Sequence, residues 1–182
     1  PKDLSFQARP VLAPQGGITV PINAFNFPVW GLLEKFAPAF LAGVPTLAKP
    51  ATPTAHVAEA LVRTMLESGL LPEGSLQLLV EGVGSLLGAL DHRDSVFFTG
   101  SKATADRLRR HPAFLERGAL FNAEADSLNP AILGEKATEE ELSRLAQEIA
   151  QELVIKTGQR CTAIRRVFAP KDRLEALLKA TQ

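Results

Sequence analysis

The residues best suited to covalent chemistry lie in one short stretch near the end of the chain. Residues 156–162 read Lys-Thr-Gly-Gln-Arg-Cys-Thr and contain Cys161, the only cysteine in the 182-residue sequence. A glycine and small polar residues beside a cysteine are typical of a turn that leaves a thiolate open to substrate, with backbone N–H groups near the sulfur. A lone cysteine can also be a small buried hydrophobic side chain. The stretch therefore indicates either a nucleophile or a core residue.

A carboxylate that could act as a general base follows a predicted strand, in the polar segment 123–129. Glu124 could take a proton from a thiol or from a water molecule. Asp126, two residues further on, competes for the same role. A glutamate in a solvated loop is the ordinary alternative, so the sequence leaves this assignment open.

Four turns that could bind a ligand follow four other predicted strands. The first carries Asn26, a side-chain donor, and the second carries Lys49, which could contact a phosphate or a ribose. The third begins at Gly82 with a Gly-x-Gly pattern that misses the dinucleotide fingerprint by one residue. The fourth, Thr99-Gly100-Ser101, opens a helix whose free N–H groups could bind an anion. Each turn alone is equally compatible with an ordinary strand end or a capped helix.

Alternating strands and helices must position these residues. Apolar, β-branched runs predict strands at residues 18–22, 44–49, 76–80, 95–99 and 118–122. Helical spacing and end signals predict helices at residues 29–42, 55–68, 84–90 and 102–110. This alternation predicts an α/β fold with a doubly wound, Rossmann-like parallel sheet and helices on both faces. Ligands bind at the carboxyl ends of the strands in such sheets, where the four turns would lie.

A second α/β unit is predicted after the polar segment. It has strands at 130–133 and 165–169, a helix from a capping box at Thr138 to about residue 156, and a helix from a second capping box at Asp172 to about residue 179. We place a domain boundary near residues 124–129. Residues 1–124 would form a nucleotide-binding portion, and residues 125–182 the beginning of an incomplete catalytic domain.

Composition and charge argue against several kinds of partner. Twenty basic and 20 acidic residues give a formal net charge of zero, so we expect no nucleic-acid partner. We expect no membrane partner, because the sequence shows neither a charged-then-apolar leader nor 18 consecutive apolar residues. The three histidines are far apart, so no metal site is expected. A single cysteine fits a reducing compartment, and we expect a cytoplasmic location.

In this order along the chain, the candidate residues resemble the motifs of the aldehyde dehydrogenase superfamily. The resemblance spans roughly residues 10–170 and depends on the ordered set, since each motif alone is weak. The similar motifs are the oxyanion asparagine in Asn26-Phe27-Pro28, the cofactor lysine in Leu47-Ala48-Lys49-Pro50, the phosphate-side turn in Phe98-Thr99-Gly100-Ser101, the general base in Ala123-Glu124 and the nucleophile in Gly158-Gln159-Arg160-Cys161.

The resemblance implies a role for each residue. Cys161 would attack an aldehyde carbonyl, Asn26 and the Cys161 N–H would form the oxyanion hole, and Glu124 would activate the water that hydrolyses the thioester. The cofactor would be NADP or NAD, with Lys49 on the adenosine ribose and Ser101 on the pyrophosphate. Thr52 stands where NAD-preferring members often carry a glutamate, which favours NADP. Full-length members of the family are expected to be homo-oligomers.

Two departures from the family pattern refine this expectation. Ala-Asp-Ser-Leu follows Glu124 where the family usually has Leu-Gly-Gly-Lys. The Ala-Asp-Ser-Leu pattern looks like that of the aldehyde dehydrogenase part of bacterial phenylacetate-degradation ring-opening proteins. The aldehyde of those proteins is a CoA-linked semialdehyde. The chain is also short for the family, so we expect a truncated aldehyde dehydrogenase fold that is inactive in isolation. The alternatives are a CoA-acylating aldehyde dehydrogenase and a non-catalytic nucleotide-binding fragment.

Overall fold

The structure is a computed structural model that describes residues 8–11, 13 and 16–181. The entering segment predicted at residues 1–15 lies mostly outside the described residues. The chain divides into two compact units, with the division between Glu124 and Ala125.

The first unit alternates strands and helices as the sequence pattern predicts. A 3₁₀ turn at Thr52–Thr54 precedes the second helix, and the short α5 was not predicted. The elements are β1 (Thr19–Ile22), α1 (Trp30–Leu41), β2 (Thr46–Ala48), α2 (Ala55–Glu67), β3 (Leu76–Leu78), α3 (Gly84–Ala89), β4 (Ser95–Gly100), α4 (Lys102–Arg109), α5 (Pro112–Leu115) and β5 (Leu120–Ala125).

The five strands form one sheet in the order β3-β2-β1-β4-β5. β1 pairs in parallel with β2 and with β4, and β2 pairs in parallel with β3. Right-handed crossovers then put α1 and α2 on one face and α3 and α4 on the other, because the strand order reverses between β1 and β4. The predicted α/β class with a doubly wound parallel sheet is confirmed. The reversal opens a crevice at the carboxyl ends of β1 and β4, where ligands bind in sheets of this kind.

A buried cluster joins α1 and α2 to the sheet. It comprises Leu32, Phe36, Ala48, Ala58, Val62 and Leu76. Trp30 fits the helical spacing of the predicted helix at residues 29–42, but its side chain is 66% exposed. The buried stripe runs through Leu32, Phe36 and Ala39, and at about 100° per residue Trp30 points almost directly away from Leu32.

The second unit contains two parallel strands and two helices around a smaller core of Leu133, Leu142, Ala146 and Leu177. Its elements are β6 (Pro130–Ile132), α6 (Glu139–Val154), a 3₁₀ turn (Ile155–Gly158), β7 (Arg166–Phe168) and α7 (Leu174–Ala180). The predicted capping box at Thr138 is confirmed, since its hydroxyl accepts the Glu141 N–H and Glu141 accepts the Thr138 N–H.

Two predictions for this unit differ from the structure. The helix α6 ends at Val154, two residues before the predicted end, because Ile155 has an extended conformation with a ψ angle of 121°, and positive φ angles follow at Lys156 and Thr157. The capping box at Asp172 does not form. Instead, α7 begins after Arg173, whose guanidinium donates a hydrogen bond to the Ala137 carbonyl at 3.1 Å and so ties the helix start to the loop before α6.

Candidate active site

The turns after β1 and β2 begin side by side at the carboxyl edge of the sheet. Ile22 and Lys49 form a parallel bridge, and the Asn23 N–H donates to the Lys49 carbonyl at 2.9 Å. Three residues further along the first turn lies Asn26, which is half-buried. The structure thus brings the predicted oxyanion asparagine and the predicted cofactor lysine to one edge of the first unit.

Lys49 is held close to its own turn. Its ammonium group donates a 2.9 Å hydrogen bond to the Pro50 carbonyl, and its side chain is partly buried. Thr52 is exposed at the start of the 3₁₀ turn. The Thr54 hydroxyl donates to the Phe25 carbonyl at 3.2 Å, which links this turn to the Asn26 turn.

The turn after β4 combines a steric requirement with a helix cap. A Cβ atom on Gly100 would lie 2.5 Å from Cζ of Phe98, so only glycine fits without moving that ring. The Ser101 hydroxyl accepts the Thr104 N–H at 3.3 Å and caps the eight-residue helix α4, whose first-turn N–H groups face outward from the helix end. The hydroxyl of Thr99 is buried and has no hydrogen-bond partner among the described residues.

The glycine-rich turn before α3 is open. No atom of the described residues lies within 4 Å of a Cβ built on Gly82 or on Gly84. Packing inside the first unit therefore does not require glycine at either position. The helix α3 has only six residues, so its N-terminus is a weak anion site.

Glu124 lies within a strand rather than in a polar loop after it. β5 extends to Ala125, three residues beyond the predicted end, and the exposed Glu124 alternates along it with the half-buried Ala123 and Ala125. The alternation gives Glu124 a defined side of the strand. Asp126, the competing carboxylate, follows the strand with a φ angle of 44°.

Cys161 is exposed as a free thiol on the turn that follows α6. The alternative of a buried hydrophobic cysteine is therefore wrong. The Asn129 side chain donates to the Cys161 carbonyl at 2.6 Å and to the Ala163 carbonyl at 3.2 Å. The Arg165 guanidinium donates to the Gly158 carbonyl at 2.8 Å and to the Arg160 carbonyl at 3.2 Å.

Sequence reasoning missed both of these supporting side chains, as well as Asn23. Asn23 is 5% exposed, and neither polar atom of its amide has a partner among the described residues. The sequence gives only a weak signal for either asparagine. Asn129 directly precedes the strand residue Pro130, and Asn23 directly follows a β-branched strand. Their partners are distant in sequence, so the pattern alone could not identify them.

Within the described residues there is no group of three or more histidine, cysteine, aspartate or glutamate side chains that could hold a metal ion. Among the helices described, none is both long enough and apolar enough to span a membrane.

The chain is similar to known proteins of one family. Residues 6–182 match the family model described as the aldehyde dehydrogenase family. A 3,4-dehydroadipyl-CoA semialdehyde dehydrogenase of Aromatoleum evansii is 49% identical over 96% of this chain and 34% of its own length. A putative succinate-semialdehyde dehydrogenase [NADP(+)] 2 of Mycobacterium bovis is 32% identical over 87% of this chain and 30% of its own length.

A solved structure has the same fold. The NADP-dependent glyceraldehyde-3-phosphate dehydrogenase of Bacillus halodurans, complexed with NADP, superposes with a TM-score of 0.76 at 30% identity and covers 92% of this chain and 34% of its own. The chain thus spans about a third of the length of the relatives it matches. On the family match over nearly its whole length, the chain belongs to the aldehyde dehydrogenase family.

Proposed function

We propose that this chain is part of an NAD(P)-dependent aldehyde dehydrogenase that oxidises a CoA-linked semialdehyde to a carboxylic acid. The observation that carries the proposal is the exposed Cys161, held on a turn by side-chain hydrogen bonds in a chain 49% identical to a CoA-semialdehyde dehydrogenase. Residues 1–124 serve as the NAD(P)-binding portion and residues 125–182 as the first part of the catalytic domain. The resemblance to phenylacetate-degradation proteins supports a role in aromatic catabolism, and the single cysteine favours the cytoplasm.

The first unit has the features that a dinucleotide needs. The crevice between β1 and β4 is flanked by the Asn26 and Ser101 turns, and the buried Thr99 hydroxyl at its edge lacks a partner among the described residues. Lys49 would hold the adenosine ribose, and the first turn of α4 behind Ser101 would hold the pyrophosphate. The open Gly82 turn leaves room for the nucleotide to approach the backbone. The small, neutral Thr52 would accept a 2′-phosphate, which favours NADP.

The chain's own residues supply the covalent chemistry. The Cys161 sulfur donates an electron pair to the aldehyde carbon, and the C=O π electrons move to the oxygen, which the Cys161 N–H stabilises. The family resemblance implies Asn26 as the second donor. No described residue accepts the Cys161 N–H, which leaves that donor available. When bound, NAD(P)+ would supply the hydride acceptor, and the Cys161 adduct would become a thioester. Glu124 then accepts a proton from water, the water oxygen adds to the thioester carbon, and the C–S bond breaks to release acid and thiolate.

The test is turnover by the full-length protein with a CoA-linked semialdehyde and each cofactor. Cys161→Ala should abolish NAD(P)H formation. Glu124→Gln should allow one equivalent of NAD(P)H per site and then stall, because thioester hydrolysis loses its base. Asp126→Asn is the matched control and should turn over normally. Steady turnover by Cys161→Ala would contradict the proposal.

Product analysis separates hydrolysis from the CoA-acylating alternative. With CoA present, a hydrolytic enzyme still yields the free acid and needs Glu124. An acyl-CoA product, formed equally well by Glu124→Gln, would instead establish the CoA-acylating reaction.

A further inference from the structure

Two side chains hold the backbone on both sides of Cys161. Asn129 lies directly before β6, and its carbonyl accepts the N–H of Arg165 at 2.9 Å and of Arg166 at 3.2 Å. These bonds hold Asn129 beside the start of β7. From there its side-chain NH₂ group donates to the Cys161 and Ala163 carbonyls.

Arg165 contributes from the other side of the turn. Its guanidinium donates to the carbonyls of Gly158 and Arg160, so that four carbonyls between residues 158 and 163 have side-chain donors. The Gly158 φ angle of 68° and the positive φ angles of the two residues before it make this segment irregular. The backbone contributes one hydrogen bond across Cys161, from the Ala163 N–H to the Arg160 carbonyl at 3.2 Å, and the side-chain donors add to it.

The planarity of the peptide bond gives these contacts a functional consequence. In a trans peptide the C=O and N–H bonds point in opposite directions. A donor on the Arg160 carbonyl therefore fixes the direction of the Cys161 N–H, and a donor on the Cys161 carbonyl fixes that of the Thr162 N–H. No described residue accepts either N–H group.

We propose that Asn129 and Arg165 are positioning residues that orient the two peptide N–H groups at Cys161 toward the oxygen of the bound aldehyde. This inference rests on the proposed function, in which that oxygen becomes an anion. Asn129 controls the Thr162 N–H through the Cys161 carbonyl, and Arg165 controls the Cys161 N–H through the Arg160 carbonyl. Neither side chain touches the reacting atoms.

The test compares two reactions of the same sulfur in the full-length protein. Alkylation by iodoacetamide creates no oxyanion, whereas aldehyde oxidation does. Asn129→Leu and Arg165→Met should each lower kcat by about 10- to 100-fold, which is less than the loss expected when an oxyanion donor is removed outright. The alkylation rate of Cys161 and the KM for NAD(P)+ should stay within about twofold, and Arg165→Lys should recover part of kcat.

The controls separate this inference from the proposed function. Arg144→Met removes an exposed arginine that forms an ion pair with Glu140 on the same helix, α6, and should leave kcat unchanged. The positioning role is wrong if Asn129→Leu and Arg165→Met keep full kcat, or if each lowers alkylation and turnover by the same factor. In either case, an inactive Cys161→Ala variant would still support Cys161 as the nucleophile. If Cys161→Ala remains active, the proposed function itself fails. Arg165 is exposed, so its variants should fold even if Asn129→Leu does not.

Discussion

Arg160, the residue before Cys161, forms an ion pair with Glu152 of α6, with 3.1 Å between Nη1 and Oε1. The two side chains are only 27% and 23% exposed. Pairs shielded in this way are more costly to break than surface pairs, because the remaining charge stays partly desolvated. The pair therefore anchors the nucleophile turn to the helix that precedes it.

Removing the acidic partner should destabilise the second unit. Glu152→Gln leaves the Arg160 charge unpaired, and partial exposure reduces the cost from that of a fully buried pair to about 1–2 kcal/mol. Urea titration followed by circular dichroism should show this loss in the free energy of unfolding. Glu140→Gln breaks a pair on the same helix whose side chains are 69% and 82% exposed, and it should change the free energy by less than about 0.5 kcal/mol. Equal losses in the two variants would show that Glu152 contributes no special anchoring.

The crowding at Gly100 predicts a second stability effect. Gly100→Ala would force the buried Phe98 ring away from the new methyl group, at a cost of about 1–3 kcal/mol. The thermal unfolding midpoint should fall by several degrees. An unchanged midpoint would mean that the ring has room to move.

The open Gly82 turn predicts the opposite behaviour. Gly82→Ala meets no atom of the described residues, so the unfolding midpoint should not change. If NAD(P)+ approaches the backbone there, the KM for the cofactor should rise while kcat at saturation stays the same. An unchanged KM would remove Gly82 from the cofactor site.

A pH effect is expected in the turn that leads into β4. Hydrogen bonds from the side chain and then the backbone N–H of Arg93 lower the pKa of Asp91 from its usual 3.8 to about 2. A lowered pKa means that the folded state favours the ionised form, so this stabilisation is complete above pH 3.8 and is lost as the pH falls through 2. Asp91→Asn should therefore lower the unfolding midpoint at pH 5 but not near pH 2.

The partner residue provides the control for this titration. Arg93→Met removes the guanidinium hydrogen bonds but keeps the backbone N–H donor, so it should reduce the pH dependence in part, whereas Asp91→Asn should remove it. A profile like that of the wild type in either variant would show that the pair does not contribute to acid stability.

Cofactor choice should respond to charge at Thr52. Thr52→Glu places a carboxylate where the 2′-phosphate of NADP would bind. Unit charges 4 Å apart repel by about 1 kcal/mol in water, and a phosphate carries more than one charge, so kcat/KM for NADP+ should fall by about tenfold or more relative to NAD+. Thr64→Glu adds the same charge at an exposed site further along α2 and should leave the ratio unchanged. A wild-type preference for NAD+ would contradict the role assigned to Thr52.

Local pattern predicted most of the regular structure. Residue spacing identified the strands and the helices of both units except the short α5, and the Thr138 and Ser101 caps formed because each needs only partners within three residues. The pattern failed where distant contacts decide. Trp30 satisfies helical spacing but lies off the buried stripe, and Asp172 satisfies the capping pattern but loses the helix start to Arg173.

By itself, the sequence determined the alternation of elements, the carboxyl-edge placement of the four turns and the identity of the candidate nucleophile. These follow from propensities and spacings that act within a few residues. Only the tertiary structure decided the strand order, the exposure of Cys161 and the contact between Asn129 and a carbonyl 32 residues away. Such contacts depend on how β6 and β7 pair and how the chain packs, and a pattern of neighbouring residues does not carry that information.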